Sequence, residues 1–212
     1  MKNEELKRGL LPACYLPPIE YFAYLLKFDK VFFEYHEHFV KQTCRNRCSI
    51  YGANGKLNLV VPIQHTGERM KMKDVKISHT ENWKKLHWKS LKAAYRSSPF
   101  FEFYEDNFQA LYEQKFEFLV DLNEAVQNTV LKILGLEINT EKTTSYQKEH
   151  PETLDLRNCF SKNMPPYTNH FPSYTQVFTD KYDFLPNLCI VDLLFNKGPQ
   201  TIEYLRVTSK II

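Results

Sequence analysis

The chain is poor in glycine, with 6 in 212 residues, and it lacks the short loops that glycine makes possible. Neither a Walker loop nor a G-x-G-x-x-G stretch occurs. That excludes a nucleotide held in a glycine-lined phosphate cradle and leaves one held by side chains. H-E-x-x-H and G-x-S-x-G are missing as well, which removes the usual zinc-peptidase and serine-hydrolase signatures. The cysteines are few, at 14, 44, 48, 159 and 189. An odd, scattered set behind a charged amino terminus with no apolar leader run points to reduced thiols in a cytoplasm. Cys44 and Cys48 have no second Cys/His pair close in sequence to complete a tetrahedral site, so no metal is expected, and no motif calls for a cofactor. With 28 basic and 25 acidic residues the net charge is only +3, and no block of five like charges occurs. The balance points away from nucleic acid. No run nears the ~18 apolar residues of a membrane span.

Aromatic residues are what the chain has in quantity: 16 Phe, 13 Tyr and 2 Trp. Most are expected in a core, and some tyrosines suit a cleft where ring and hydroxyl both serve. The most densely patterned stretch is Trp83 to Tyr104. Trp83, Leu86, His87, Ser90, Leu91, Ala94 and Tyr95 recur at the spacing of one helix face, with Lys84, Lys85, Lys89 and Lys92 on the other. Ser78-His-Thr-Glu81 ahead of it has the form of a capping box, and Pro99 ends it before Phe100, Phe101, Phe103 and Tyr104.

Upstream, Leu10–Tyr15 reads as a buried strand. Ile19, Phe22, Ala23 and Leu26 form a helix stripe after Pro17-Pro18, with Glu20 suited to the helix dipole. Val31–Tyr35 alternates as a second strand, so the opening is a strand–helix–strand crossover that favours parallel pairing. Residues 39–62 read as a hairpin about Gly52-Ala-Asn-Gly55. Downstream, Phe118–Gly135 is a long helix, Tyr174–Phe178 alternates like a strand, and helices follow Pro186-Asn187 and Thr201. Residues 137–175 are an irregular excursion containing Pro and Tyr, either a surface feature or a loop over a site; its Ser161–Tyr174 part carries Tyr167 and His170. The expectation is one domain over 1–212 of the α/β, or α+β, class: a small mixed sheet with a strand–helix–strand start and a hairpin, flanked by several helices.

Chemistry must then come from a constellation. His87, on the inner face of its helix, is either a hydrogen-bonded core histidine or an acid–base group. Cys14, at the end of the first strand, is either a buried small apolar residue or a nucleophile in the place where open α/β sheets hold ligands. Arg45 and Arg47 are either a solvated strand face or an anion holder, with Asn46 an orienting amide. Asp192 either lies idle on a helix surface or orients a base.

Four blocks also resemble the WbqC-like protein family: LPACYLPPIEYFAYLLKFDKVFFE, HFVKQTCRNRCSIYGANGKLNLVVPI, WKKLHWKSLKAAYRSSPFFEFYEDNF and NLCIVDLLFNKGP, in that order. The chain departs from the family at Pro12-Ala13-Cys14-Tyr15, where a Gln-Pro-Tyr-like sequence is common, and at 137–175, where longer members are glycine-rich. The resemblance implies a bacterial cytoplasmic protein of surface-polysaccharide biosynthesis that transfers an aminoacyl or acyl group to an amino sugar of a nucleotide-activated precursor. On that reading His87 is the base and Arg47 and Lys41 hold the anion. Tyr15, Tyr21, Tyr95 and Tyr104 wall a site for a small-molecule substrate, a sugar-nucleotide. The rivals are a non-catalytic ligand-binding or scaffold protein and, more weakly, nucleic-acid binding through the lysine face of the Trp83 helix. Nothing in the sequence sets the oligomeric state.

Overall fold

The computed structural model describes residues 7–65, 67–160 and 171–212. The opening crossover forms as its pattern predicts: β1 (Arg8–Pro12), α1 (Ile19–Leu25) and β2 (Lys30–Glu34). β1 and β2 pair in parallel, Arg8 opposite Lys30 through Pro12 opposite Glu34. The hairpin is β3 (Arg47–Gly52) and β4 (Gly55–Val60), turning at Ala53-Asn54. It stands as its own two-stranded sheet beside the parallel one. The parallel sheet is completed from residues 137–175. There β5 (Thr140–Lys142) pairs with β2, and β6 (Leu154–Asp155) pairs with β1, giving the order β5-β2-β1-β6. So part of the stretch expected to be irregular supplies both edges of the sheet. The strands are too short, at three and two residues, for a period-2 pattern to show in the sequence. Of the Ser161–Tyr174 loop, residues 161–170, with Tyr167 and His170, lie outside the described residues.

The helices are α2 (Trp83–Tyr95), α3 (Phe101–Glu113), α4 (Leu119–Leu134), α5 (Ile190–Lys197) and α6 (Thr201–Ile211). α4 ends at Gly135 with φ +62, a left-handed cap that glycine adopts without a Cβ clash. Two local expectations change. Ser78-His-Thr-Glu81 caps nothing: Ser78 N–H bonds the Pro62 carbonyl, Ile77 bridges Ile63, and this extended pairing delays the helix to Trp83. After Pro99 the next helix starts at once: Phe100 is the N-cap of α3, and Phe101, Phe103 and Tyr104 lie within it. Tyr174–Phe178 forms no strand, because Gln176 and Thr179 close a turn.

Within α2, Leu86 is 62% exposed, and Trp88 takes the inner place instead, stacking on Phe101 and Tyr112. Of the lysine face, Lys84 bonds the Gln114 carbonyl and Lys92 pairs with Glu105. Among the described residues no helix is long and apolar enough to cross a membrane.

Candidate functional site

Where the chain leaves the carboxyl end of β1, three segments meet and leave a cavity of about 370 Å³ between them. The β1–α1 connection and the first turn of α1 supply Leu16, Pro18 and Glu20. The hairpin and its lead-in supply Cys44, Arg47, Ser49, Lys56 and Asn58. The approach to α5 supplies Pro186, Asn187 and Cys189. Backbone bonds stitch the three together: Tyr15 N–H to Cys44 O at 2.9 Å, Cys189 N–H to Ser49 O at 2.9 Å, Ile190 N–H to Pro17 O at 2.9 Å and Ile19 N–H to Leu188 O at 3.0 Å.

The non-glycine residues with positive φ among those described are Leu16 (+40), Gln42 (+63) and Asn187 (+53), and all three line this cavity. Left-handed backbone is tolerable for Asn but strained for Leu. Strain of this kind gathers at ligand clamps and active sites because the surrounding structure must hold it. Asn187 is held by use: its Oδ1 accepts the Glu20 N–H at 3.0 Å.

The cavity carries both signs of charge. Cross-strand partners share a hairpin face, so Ser49 and Asn58, joined at 2.8 Å, stand beside Arg47 and Lys56. Arg47 is half-buried. Its Nε is shielded from solvent and without a hydrogen-bond partner, and the guanidinium has no ion pair among the described residues. Glu20, 4% exposed, adds a carboxylate to the lining. Among the described residues no group of three or more His, Cys, Asp or Glu is arranged to hold a metal.

Arg47 is the sequence-nominated residue that lines this cavity. Its neighbour Arg45 does not share its face: it lies before β3 begins, turned inward, and pairs with Glu37 at 2.7 Å. Asn46 is buried and donates to the Val61 carbonyl, Tyr21 to the Pro12 carbonyl, and Lys41 is exposed. Tyr104 is half-buried on α3. Tyr95 donates to Asp192, itself fully buried in the first turn of α5. Cys14 is buried with its Sγ 2.8 Å from that of Cys44. Burial pushes the Cys14 thiol well up, which keeps it protonated and weakens it as a nucleophile.

His87 is in the core, 2% exposed. Its Nδ1 lies 3.0 Å from the Tyr15 hydroxyl, which is 2.6 Å from that of Tyr112, and the Trp83 ring meets it edge-on. A neutral imidazole accepts from Tyr15 at Nδ1, leaving the other ring nitrogen to donate at the Val60 backbone. Burial lowers its pKa from 6.5 to about 4, with the Val60 bond opposing. The unfolded chain therefore takes a proton below about pH 6.5 that the folded chain refuses until about pH 4. Stability falls as pH drops through that window, by about 3 kcal/mol at ~1.4 kcal/mol per unit. His87→Gln is expected to remove this fall. The comparison must be between wild type and variant, because Glu37 and Asp192, both raised by burial, contribute in the opposite sense. Urea unfolding at several pH values checks it, and a wild-type–variant difference that is flat with pH would refute it.

Glu20, Cys44, Lys56 and Asn187 are site residues the sequence reading did not nominate. Glu20 read only as a residue suited to the helix dipole. The available signal was the helix itself: IEYFAYL is apolar nearly all round, so it must be buried on every side, its one carboxylate included.

The family model described as "WbqC-like protein family" matches residues 13–169. The chain is also 26% identical over 226 residues to "Uncharacterized protein Rv1507c" of Mycobacterium tuberculosis, covering 94% of this chain and 97% of that one. No solved structure matches it.

Proposed function

The chain belongs to the WbqC-like protein family, and from that premise we propose that it is a transferase of surface-polysaccharide assembly. It binds a nucleotide-activated amino sugar at the Arg47 cavity and moves an acyl or aminoacyl group onto the sugar amine. One observation carries the binding half of this reading: Arg47 lines a cavity of about 370 Å³ with its Nε shielded and unpartnered and its guanidinium in no ion pair among the described residues. A buried donor left unmade is costly, and a phosphate or carboxylate accepting from the guanidinium fork removes that cost. The volume suits a small molecule. In the transfer, the amine nitrogen forms a bond to the acyl carbon, the carbon–leaving-group bond breaks, and the nitrogen loses a proton. Glu20 is the carboxylate on the cavity wall able to accept it. His87 then holds Tyr15, and through it the β1–α1 connection, in position. On this reading the compartment is the cytoplasm, where activated sugars are made. The sequestration of His87 favours a second reading, a ligand-binding protein without turnover, which product analysis separates from the first.

A thermal-shift screen of sugar-nucleotides and acyl donors tests the site. A ligand at about 100 times its Kd adds about 2.7 kcal/mol to wild type, a rise of roughly 5–10 °C for a chain of this size. Arg47→Ala is expected to lose that rise. An equal rise in both proteins would place the ligand elsewhere.

A further inference from the structure

We propose that Cys14 and Cys44 are a dithiol–disulfide pair, oxidised by a small-molecule disulfide such as oxidised glutathione that enters through the cavity. The inference goes beyond the transferase reading and does not depend on what the cavity binds.

Four of the five cysteines gather here although the sequence scatters them: Cys44, Cys48 and Cys189 line the cavity, and Cys14 lies directly behind Cys44. The Cys14 and Cys44 sulfurs are 2.8 Å apart. A disulfide bond is about 2.05 Å long, so closure needs a movement under about 1 Å. The segments are already clamped in register by the Tyr15 N–H to Cys44 O bond, one residue from Cys14. No large backbone rearrangement stands between the two states.

The two sulfurs are unlike, and their difference sets the order of events. Cys44 is half-buried at the cavity wall, whereas Cys14 is buried behind it. A disulfide oxidant reaches Cys44 first. The Cys44 thiolate attacks one sulfur of the oxidant, a Cys44 mixed disulfide forms, and one thiolate leaves. Cys14 then attacks the Cys44 sulfur, its proton passes to the second departing thiolate, and the internal disulfide closes. In sum, two protein thiols and one oxidised glutathione give one protein disulfide and two reduced glutathiones. Cys48 and Cys189 also touch thiol to thiol, but both are buried, at 7% and 2% exposure, and present no comparable entry. Oxidation withdraws the Cys44 thiol from the cavity wall and ties the 42–44 segment to the end of β1.

The test uses the full chain, reduced and then equilibrated with oxidised glutathione, its remaining thiols blocked with N-ethylmaleimide and its peptides mapped by mass spectrometry. In wild type, Cys14 and Cys44 are expected to lose alkylation together and to appear as one crosslinked peptide pair, restored to two alkylated thiols by excess reduced glutathione. Cys14→Ser is expected to stop at the first step, with glutathione retained on Cys44 as the main species. In Cys44→Ser, Cys14 is expected to remain alkylatable after denaturation, and Cys159→Ser is expected to behave as wild type. Free Cys14 and Cys44 after oxidation of wild type, a persistent glutathione adduct on wild-type Cys44, or a crosslink from Cys44 to Cys48 or Cys189 would each overturn the proposal. The readout is covalent mass, so it stands or falls apart from the Arg47 binding experiment.

Discussion

Asp192→Ala is expected to lower the unfolding free energy by about 3–5 kcal/mol, at roughly 1–3 kcal/mol for each orphaned buried donor less some relaxation. Asp192 is 0% exposed, on a helix whose residues Ile190 to Phe195 are all buried. Among the described residues its carboxylate makes no ion pair. Instead it accepts from the Tyr95 hydroxyl at 2.9 Å, the Tyr174 hydroxyl at 2.5 Å and the Gln176 amide at 2.9 Å. Truncation strands all three donors at once. Through Tyr95 the effect reaches the hairpin, because that hydroxyl also receives the Tyr51 N–H at 3.1 Å. For a chain of this size the loss corresponds to a fall in Tm of about 10 °C. Asp192→Asn, which keeps the shape and one acceptor oxygen, is expected to lose less. Burial raises the Asp192 carboxyl above its ordinary value against the pull of its three donors. The folded chain thus holds that proton more tightly than the unfolded chain, and this group's contribution declines as pH rises through the window above the unfolded value. Thermal or urea unfolding of Asp192→Ala within about 1 kcal/mol of wild type would show that the carboxylate does not hold this cluster.

Arg45→Met is expected to cost a similar amount, about 3–5 kcal/mol, for the opposite charge. The Arg45 side chain is 2% exposed and bonds Glu37 through Nε at 2.8 Å. It also bonds Thr43 Oγ1 at 3.2 Å and the Arg157 carbonyl at 2.9 Å. Arg157 in turn pairs with Glu34, fully buried at the end of β2, and with Asp155 on β6. Removing Arg45 leaves the Glu37 carboxylate buried without its cation. Removing the charges together does not, so Arg45→Met/Glu37→Met is expected to be more stable than Arg45→Met alone by at least about 1 kcal/mol. Losses that simply add in the double variant would mean that the pair is not coupled.

The same network explains what the sequence concealed about the two arginines. Arg45 and Arg47 are two apart, and strict alternation puts them on one face. The alternation starts only at Arg47, where β3 begins; Arg45 belongs to the lead-in and turns the other way to meet Glu37 and Arg157. One arginine is therefore spoken for in the core, and the other lines the cavity with its shielded Nε unpartnered. Asp192 is a similar case. The sequence left it either idle on a helix surface or orienting a base, but the carboxylate is fully buried, and Asn196 one turn on bonds the Asp192 carbonyl at 2.7 Å.

By itself the sequence determined the features that depend on neighbours within a turn or a strand. These are the parallel β1–α1–β2 crossover, the hairpin reversed within Gly52-Ala-Asn-Gly55, the α2 boundary before Pro99 and the αL stop of α4 at Gly135. Periodicity and turn chemistry act over a few residues, so a linear reading captures them. The tertiary structure alone decided which polar groups share a cavity. Glu20 and Asn187 meet across 167 residues, and His87 reaches Tyr15 across 72. Burial, and with it the protonation and reactivity of His87 and Cys14, is set by what packs around each side chain. That packing joins segments whose separation along the chain leaves no local pattern to read.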